Sequence, residues 1–104
     1  MRLGRAEAQL VFALHKIVQE RLEQHEVRER GKPVPRKPDA RIEWVETPAL
    51  KKHVWMSLSY VYSILDLLEA HRLIKREASY GRTKRCRLTA KGKLWVAKSG
   101  AAEN

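Results

Sequence analysis

The chain of 104 residues has a single cysteine, Cys86, so an internal disulfide is excluded and no second thiol is present to build a zinc site. That cysteine usage fits an intracellular compartment. Long apolar runs are also missing. Nothing approaches the roughly 18 to 20 residues needed to span a bilayer, and the N-terminus lacks the apolar core of a secretory signal. The sequence therefore predicts a cytoplasmic protein with no membrane partner. Asparagine occurs once and glutamine is sparse beside abundant Arg, Lys and Glu, a balance that resembles heat-adapted (thermophile) proteins.

Catalytic patterns are equally scarce. His15, His25, His53 and His71 are scattered, with no HExxH pair, no Cys/His ligand spacing, no Walker glycine loop and no Ser/His/Asp order. Asp66 and Glu69 share a helix turn and read as surface groups rather than as a paired carboxylate site. The expectation is a non-enzyme with no catalytic residue, metal or cofactor. The only phenylalanine, Phe12, falls on the first helix, not on a strand as an RNA-binding sheet would require.

What the chain has is positive charge, and it is unevenly placed. The formal net charge is +10. Residues 1–49 carry +2 and residues 50–98 carry +9, which points the C-terminal half toward a polyanion. Residues 72–93 hold nine Lys/Arg and one acid, Glu77, a density expected to repel itself without an anionic partner. With 43% apolar residues the chain can fill one modest core, and a domain of this size often gains stability from a partner subunit.

Along residues 5–30, Leu10, Val11, Leu14, Ile17, Val18 and Leu22 recur at the spacing of one helical face, predicting a long amphipathic helix. Its part from Glu20 to Arg30 is mostly charged, supported by Glu23/Val27 and Glu26/Arg30 spacings, and is expected to project beyond the core. Gly31 and three prolines, Pro33, Pro35 and Pro38, end it and make residues 31–40 a stiff connector. Lys32, Arg36 and Lys37 there could meet phosphate, although a solvated linker is the commoner role.

Arg41 to Glu46 alternates polar and apolar residues, the mark of a short half-buried strand. Thr47-Pro48 reads as a capped helix start with the helix over residues 48–55. After a turn at Trp55-Met56, Ser57 or Ser59 caps a second helix to about His71, with Val61, Ile64, Leu65 and Leu68 inward. Leu73 to Ala78 and Lys84 to Leu88 flank Ser79-Tyr80-Gly81-Arg82-Thr83 as a hairpin, with Cys86 and Leu88 inward and Arg85 and Arg87 outward. Tyr60 and Tyr62 should be partly packed, and Trp44, Trp55 and Trp95 are expected in the core, none serving as a stacking platform. The fold class is α+β, mainly α. Helix, helix, basic ribbon and closing helix in that order suggest a winged helix-turn-helix, over residues 41–98, with a disordered tail at 99–104.

Met56 to Arg76 resembles the recognition helix and following strand of MarR-like and PadR-like transcription regulators, and Arg87-Leu88-Thr89-Ala90-Lys91-Gly92 is similar to their Leu-Thr-x-x-Gly signature after the wing. The resemblance covers about residues 42–97. Two positions depart: Arg72 stands where the family places a left-handed glycine, and Leu67 stands at an often basic position, which suggests that it packs against another element or subunit. The resemblance implies a recognition helix in the major groove, read through Ser57, Ser59, Tyr60, Tyr62 and Ser63. It assigns Lys75, Arg76, Tyr80, Arg82, Lys84, Arg85 and Arg87 to a wing on backbone or minor groove, and Thr47, Lys51 and Lys52 to backbone near the helix start. With no Arg, Asn or Gln on that helix before Arg72 to pair bidentately with a base, phosphate contacts should dominate and sequence preference be modest.

The N-terminal helix is longer than such a core needs, so Leu10, Leu14, Ile17 and Leu22 are expected to bury against a second copy. The sequence thus predicts a homodimeric, nucleoid-associated regulator on double-stranded DNA. A winged-helix module joining proteins in a transcription, replication or chromatin assembly is the alternative, and a sequence-neutral chromatin-type binder ranks third. Operator, sign of regulation and effector leave no motif.

Overall fold

A computed structural model describes residues 2–78 and 84–103, with side chains over 2–77 and 84–99. Its elements run α1 (Arg5–Glu29), a 3-10 turn (Ala40–Glu43), β1 (Val45–Glu46), α2 (Thr47–Lys51), α3 (Leu58–Ala70), β2 (Ile74–Ala78), β3 (Lys84–Leu88) and α4 (Ala90–Glu103). The chain is α+β and mostly helical, with one antiparallel sheet of order β1-β3-β2. Val45 pairs with Cys86, and Ile74 pairs with Leu88.

Helix α1 forms where the apolar spacing predicts, and its stripe is used inside the chain. Leu10, Val11, Leu14 and Ile17 are buried with Val61, Ile64, Leu65 and Leu68 of α3 in one core, which Val45, Cys86 and Leu88 of the sheet complete. Leu10, Leu14 and Ile17 are at most 5% exposed, so the expectation that they form a dimer face is corrected: the chain's own α3 and sheet cover them. Leu22 is half-buried.

The charged end of α1 does not project alone. Its Arg21 guanidinium donates to the Trp44 carbonyl at 2.9 Å, and the His25 ring donates from Nε2 to the Arg36 carbonyl at 2.8 Å. The His25 bond ties the proline-rich connector back to the helix, and the Arg21 bond holds the chain just before β1, while the side chains of residues 31–40 stay exposed. Gly31 does end the helical region, at a left-handed φ of 84°.

Three boundaries differ from the pattern-based expectation. Over Ala40–Glu43 the chain makes a 3-10 turn, because the Asp39 carboxylate accepts from the Arg41 amide and fixes the turn locally; only Val45 and Glu46 remain as strand. Helix α2 is only Thr47–Lys51. At the other end α4 runs to Glu103, so residues 99–103 continue the helix where the sequence pattern predicts a disordered tail over 99–104.

The junction of α3, β2 and α4 explains the Leu88-Thr89-x-x-Gly92 pattern physically. The Thr89 hydroxyl donates to the Arg72 carbonyl at 2.7 Å and accepts from the Gly92 amide at 3.1 Å, capping α4. Arg72 itself is left-handed at φ 62°. Its amide bonds to the Glu69 carbonyl, and the next amide, of Leu73, reaches the Leu68 carbonyl, the paired bonds of a Schellman ending.

Candidate nucleic-acid interface

The Ser57 hydroxyl accepts from the Tyr60 amide at 3.2 Å and caps α3, as its position before the apolar stripe predicts. That hydroxyl is committed to the helix. Ser59, Tyr60 and Ser63 are exposed, and the Ser63 hydroxyl donates to the Ser59 carbonyl at 3.2 Å. Tyr62 is half-buried and packs against the core. One side of α3 is therefore open, with small hydroxyls at its centre and Tyr60 at its flank. Leu67 is 45% exposed and is not among the residues of the core.

The hairpin meets α3 along a second line. The Lys84 ammonium lies 6.0 Å from the centre of the Tyr62 ring. Both residues border a concavity with Asp66, Glu69, Arg76 and Glu77. Arg76 is not available there: its Nη2 lies 2.9 Å from Glu69 Oε1 and 2.5 Å from Asp66 Oδ1. The two carboxylates hold the Arg76 guanidinium charged, its pKa raised mainly by the Glu69 hydrogen bond, and the same bond lowers that of Glu69.

Strand alternation sends Cys86 and Leu88 into the core and Arg85 and Arg87 to the other face of the sheet. There both guanidinium groups cover the Trp44 ring, at 4.8 and 5.4 Å from its centre. Arg85 pairs with Glu77 and Arg87 lies 3.7 Å from Glu43. Arg76, Arg85 and Arg87 are thus corrected from open wing contacts to cations with internal partners. The dense basic run does not stand uncompensated, because the fold brings Asp66, Glu69 and Glu43 to it from elsewhere in the chain.

Thr47 is corrected as well. It is 3% exposed, and its hydroxyl donates to the Lys84 carbonyl at 3.3 Å, tying α2 to β3. Its side chain does not cap α2, which starts after Glu46. Lys52, Lys75 and Lys84 are exposed and Lys51 half-exposed, and none of the four takes part in an ion pair among the described residues. Tyr80 and Arg82 lie outside the described residues.

The tryptophans part company. Trp95 packs on Phe12 with ring centres 5.3 Å apart and joins the core as expected, but Trp44 lies beneath the arginines on the sheet face away from the core and Trp55 is 98% exposed, so both are corrected from their expected place in the core. Val54, 6% exposed, takes the inward position of that turn, and nothing in the sequence pattern distinguishes the two.

Burial pushes the Cys86 thiol pKa up to about 12, so it stays a neutral core group. No group of three or more potential metal ligands occurs among the described residues, and no described helix is long and apolar enough to cross a membrane. Comparison with protein-family models, curated proteins and solved structures finds no match to this chain.

Proposed function

We propose that the chain is a winged helix-turn-helix protein that binds double-stranded DNA as a transcription regulator, α3 entering the major groove and the β2–β3 hairpin lying on backbone or minor groove. The observation that carries this reading is the seat of Lys84 beside Tyr62, which puts a hairpin cation with no ion pair among the described residues next to the helix whose Ser59–Ser63 side is open. Lys51 and Lys52 on and after α2 supply two more cations for phosphate. Ser59, Tyr60 and Ser63 are the base-facing candidates, and their hydroxyls discriminate weakly, so sequence preference is modest.

The proposed homodimer uses surfaces other than the buried stripe of α1. Leu94 of α4, 56% exposed, and the half-buried Leu22 are apolar positions left for a second copy. Fluorescence anisotropy on random and selected duplexes over a range of salt, beside a mass measurement in solution, tests both parts. Absence of duplex binding at low salt would remove the DNA reading.

A second reading, a winged-helix module that joins proteins, draws on a specific observation. Arg76, Arg85 and Arg87 are partnered by the chain's own acids, and α3 carries Asp66 and Glu69, which weakens the field toward phosphate. Retention of a protein partner by a chain that ignores duplex DNA would favour it.

A further inference from the structure

Trp55 is the most exposed of the large hydrophobic side chains described, at 98%. It stands in the turn between α2 and α3, and it borders a shallow depression with Met56, Tyr60 and Ile64 and with Arg5 and Glu7 of the first turn of α1, whose opposite charges offset each other there. An indole left in water forgoes a large burial gain, and exposed apolar groups of this size beside others mark contact surfaces. Tyr60 and Leu58, each 48% exposed, extend the apolar character to the start of α3.

The surrounding charge selects the occupant. From Thr47 to Leu65 the sequence has no Asp or Glu, while Lys51, Lys52 and His53 precede Trp55 directly. The surface built from α2, the turn and the first turns of α3 is therefore cationic and apolar together. A duplex backbone fits both properties: its phosphates answer the lysines, and its deoxyribose edges offer apolar C–H surface to a flat ring. The indole also has one N–H donor and no acceptor, which suits a phosphate oxygen and gains nothing from a second cationic surface.

We infer that Trp55 is a DNA-contacting residue, its ring laid on the sugar-phosphate edge of the groove that receives α3 and its Nε1–H donating to a phosphate. This rests on the DNA reading above and adds to it an apolar anchor that carries no charge. The distinction is measurable. A lost lysine contact lowers both affinity and the slope of affinity against salt, whereas a lost indole contact releases no counterion and leaves the slope in place.

The test measures anisotropy of a labelled random-sequence duplex with the parent chain, Trp55→Ala and Trp55→Phe at several salt concentrations, with acrylamide quenching of tryptophan emission in the parent. The expected result is roughly tenfold weaker binding for Trp55→Ala, about 1.4 kcal/mol, a smaller loss for Trp55→Phe, and an unchanged salt slope. Duplex should shield the parent's emission from acrylamide. Thermal melts should be unaltered, because the ring is 98% exposed. Equal affinity for parent and Trp55→Ala, with quenching unaffected by duplex, would overturn the inference and leave DNA binding standing. No duplex binding by the parent would overturn both. Conversion of a dimer to a monomer by Trp55→Ala, with DNA affinity unchanged, would assign the ring to a contact between copies and overturn the DNA contact.

Discussion

Gly92 approaches the Leu73 carbonyl so closely that a Cβ at position 92 would lie 2.2 Å from its oxygen. That oxygen also accepts the Thr89 amide at 3.0 Å, so it cannot retreat without breaking the bond that docks α4 onto the end of α3. Alanine would gain helix propensity here and still lose. Gly92→Ala should destabilise the chain by about 2 kcal/mol, in the range of overpacked sites, and lower Tm by roughly 10 °C. A variant melting at the parent temperature would show that α4 can shift without cost.

Arg72, which directly precedes Leu73 in the same junction, predicts the opposite sign from a glycine. Arg72 holds φ 62°, where a side chain costs roughly 1 kcal/mol or more, and its amide and carbonyl make the bonds that hold the junction. Glycine keeps those backbone bonds and removes the strain. Arg72→Gly should raise stability by about 1 kcal/mol and Tm by roughly 4–8 °C. A scanning calorimetry trace with lower Tm would mean that the arginine side chain contributes more than its backbone costs.

Acid should loosen the α3–β2 contact. The Arg76 hydrogen bond holds Glu69 below its ordinary value of 4.5, and Lys32 does the same for Glu29 at the end of α1. A carboxyl lowered on folding adds stability that is present above its unfolded pKa and is lost as pH falls through the lower folded value. Denaturant midpoints should therefore fall below about pH 4.5, and less steeply in Glu69→Gln. Parallel pH profiles for parent and variant would exclude this pair from acid stability.

Cys86 should report unfolding of the core. At 1% exposure, and with its pKa pushed to about 12 from 9.0, it offers no thiolate to an alkylating reagent while folded. Labelling by iodoacetamide at pH 8 should be slow in buffer and fast in denaturant. Above pH 9 the unfolded thiol ionises and the folded one does not, so stability declines as pH rises toward 12. Rapid labelling of the native chain would show that β3 opens locally.

Local rules read much of this fold. The i, i+3, i+4 spacing gives α1, the serine before an apolar stripe gives the start of α3, and alternation gives the two faces of β3. Where the reading failed, longer-range facts decided. Thr47 looks like a cap because proline follows it, yet β3 draws its hydroxyl to Lys84. The basic hairpin looks uncompensated because its acids, Asp66, Glu69 and Glu43, come from other elements. Leu10, Leu14 and Ile17 look like a dimer seam because a stripe does not say whose core it enters. Val54 and Trp55 are adjacent apolar residues, and only the path of the turn sends one inward and the other out.

Those internal pairings divide the basic residues into two sets with different behaviour. Lys51, Lys52 and Lys84 have no ionic partner among the described residues, so each can replace a counterion on phosphate. Replacing all three with alanine should weaken duplex binding on every sequence and reduce the salt slope by about one unit per lost contact. Stability should hardly change, since exposed lysines of this kind contribute within about 0.5 kcal/mol. Arg85 and Arg87 should behave in the reverse way. They cover Trp44 and pair with Glu77 and Glu43, so Arg85→Ala with Arg87→Ala should lower Tm and leave the slope nearly as it was. Anisotropy titrations beside thermal melts separate the two. If the arginine pair flattened the slope while the lysine triple did not, the face bearing Trp44 would be the one that meets DNA, and α3 would lose its place in the groove.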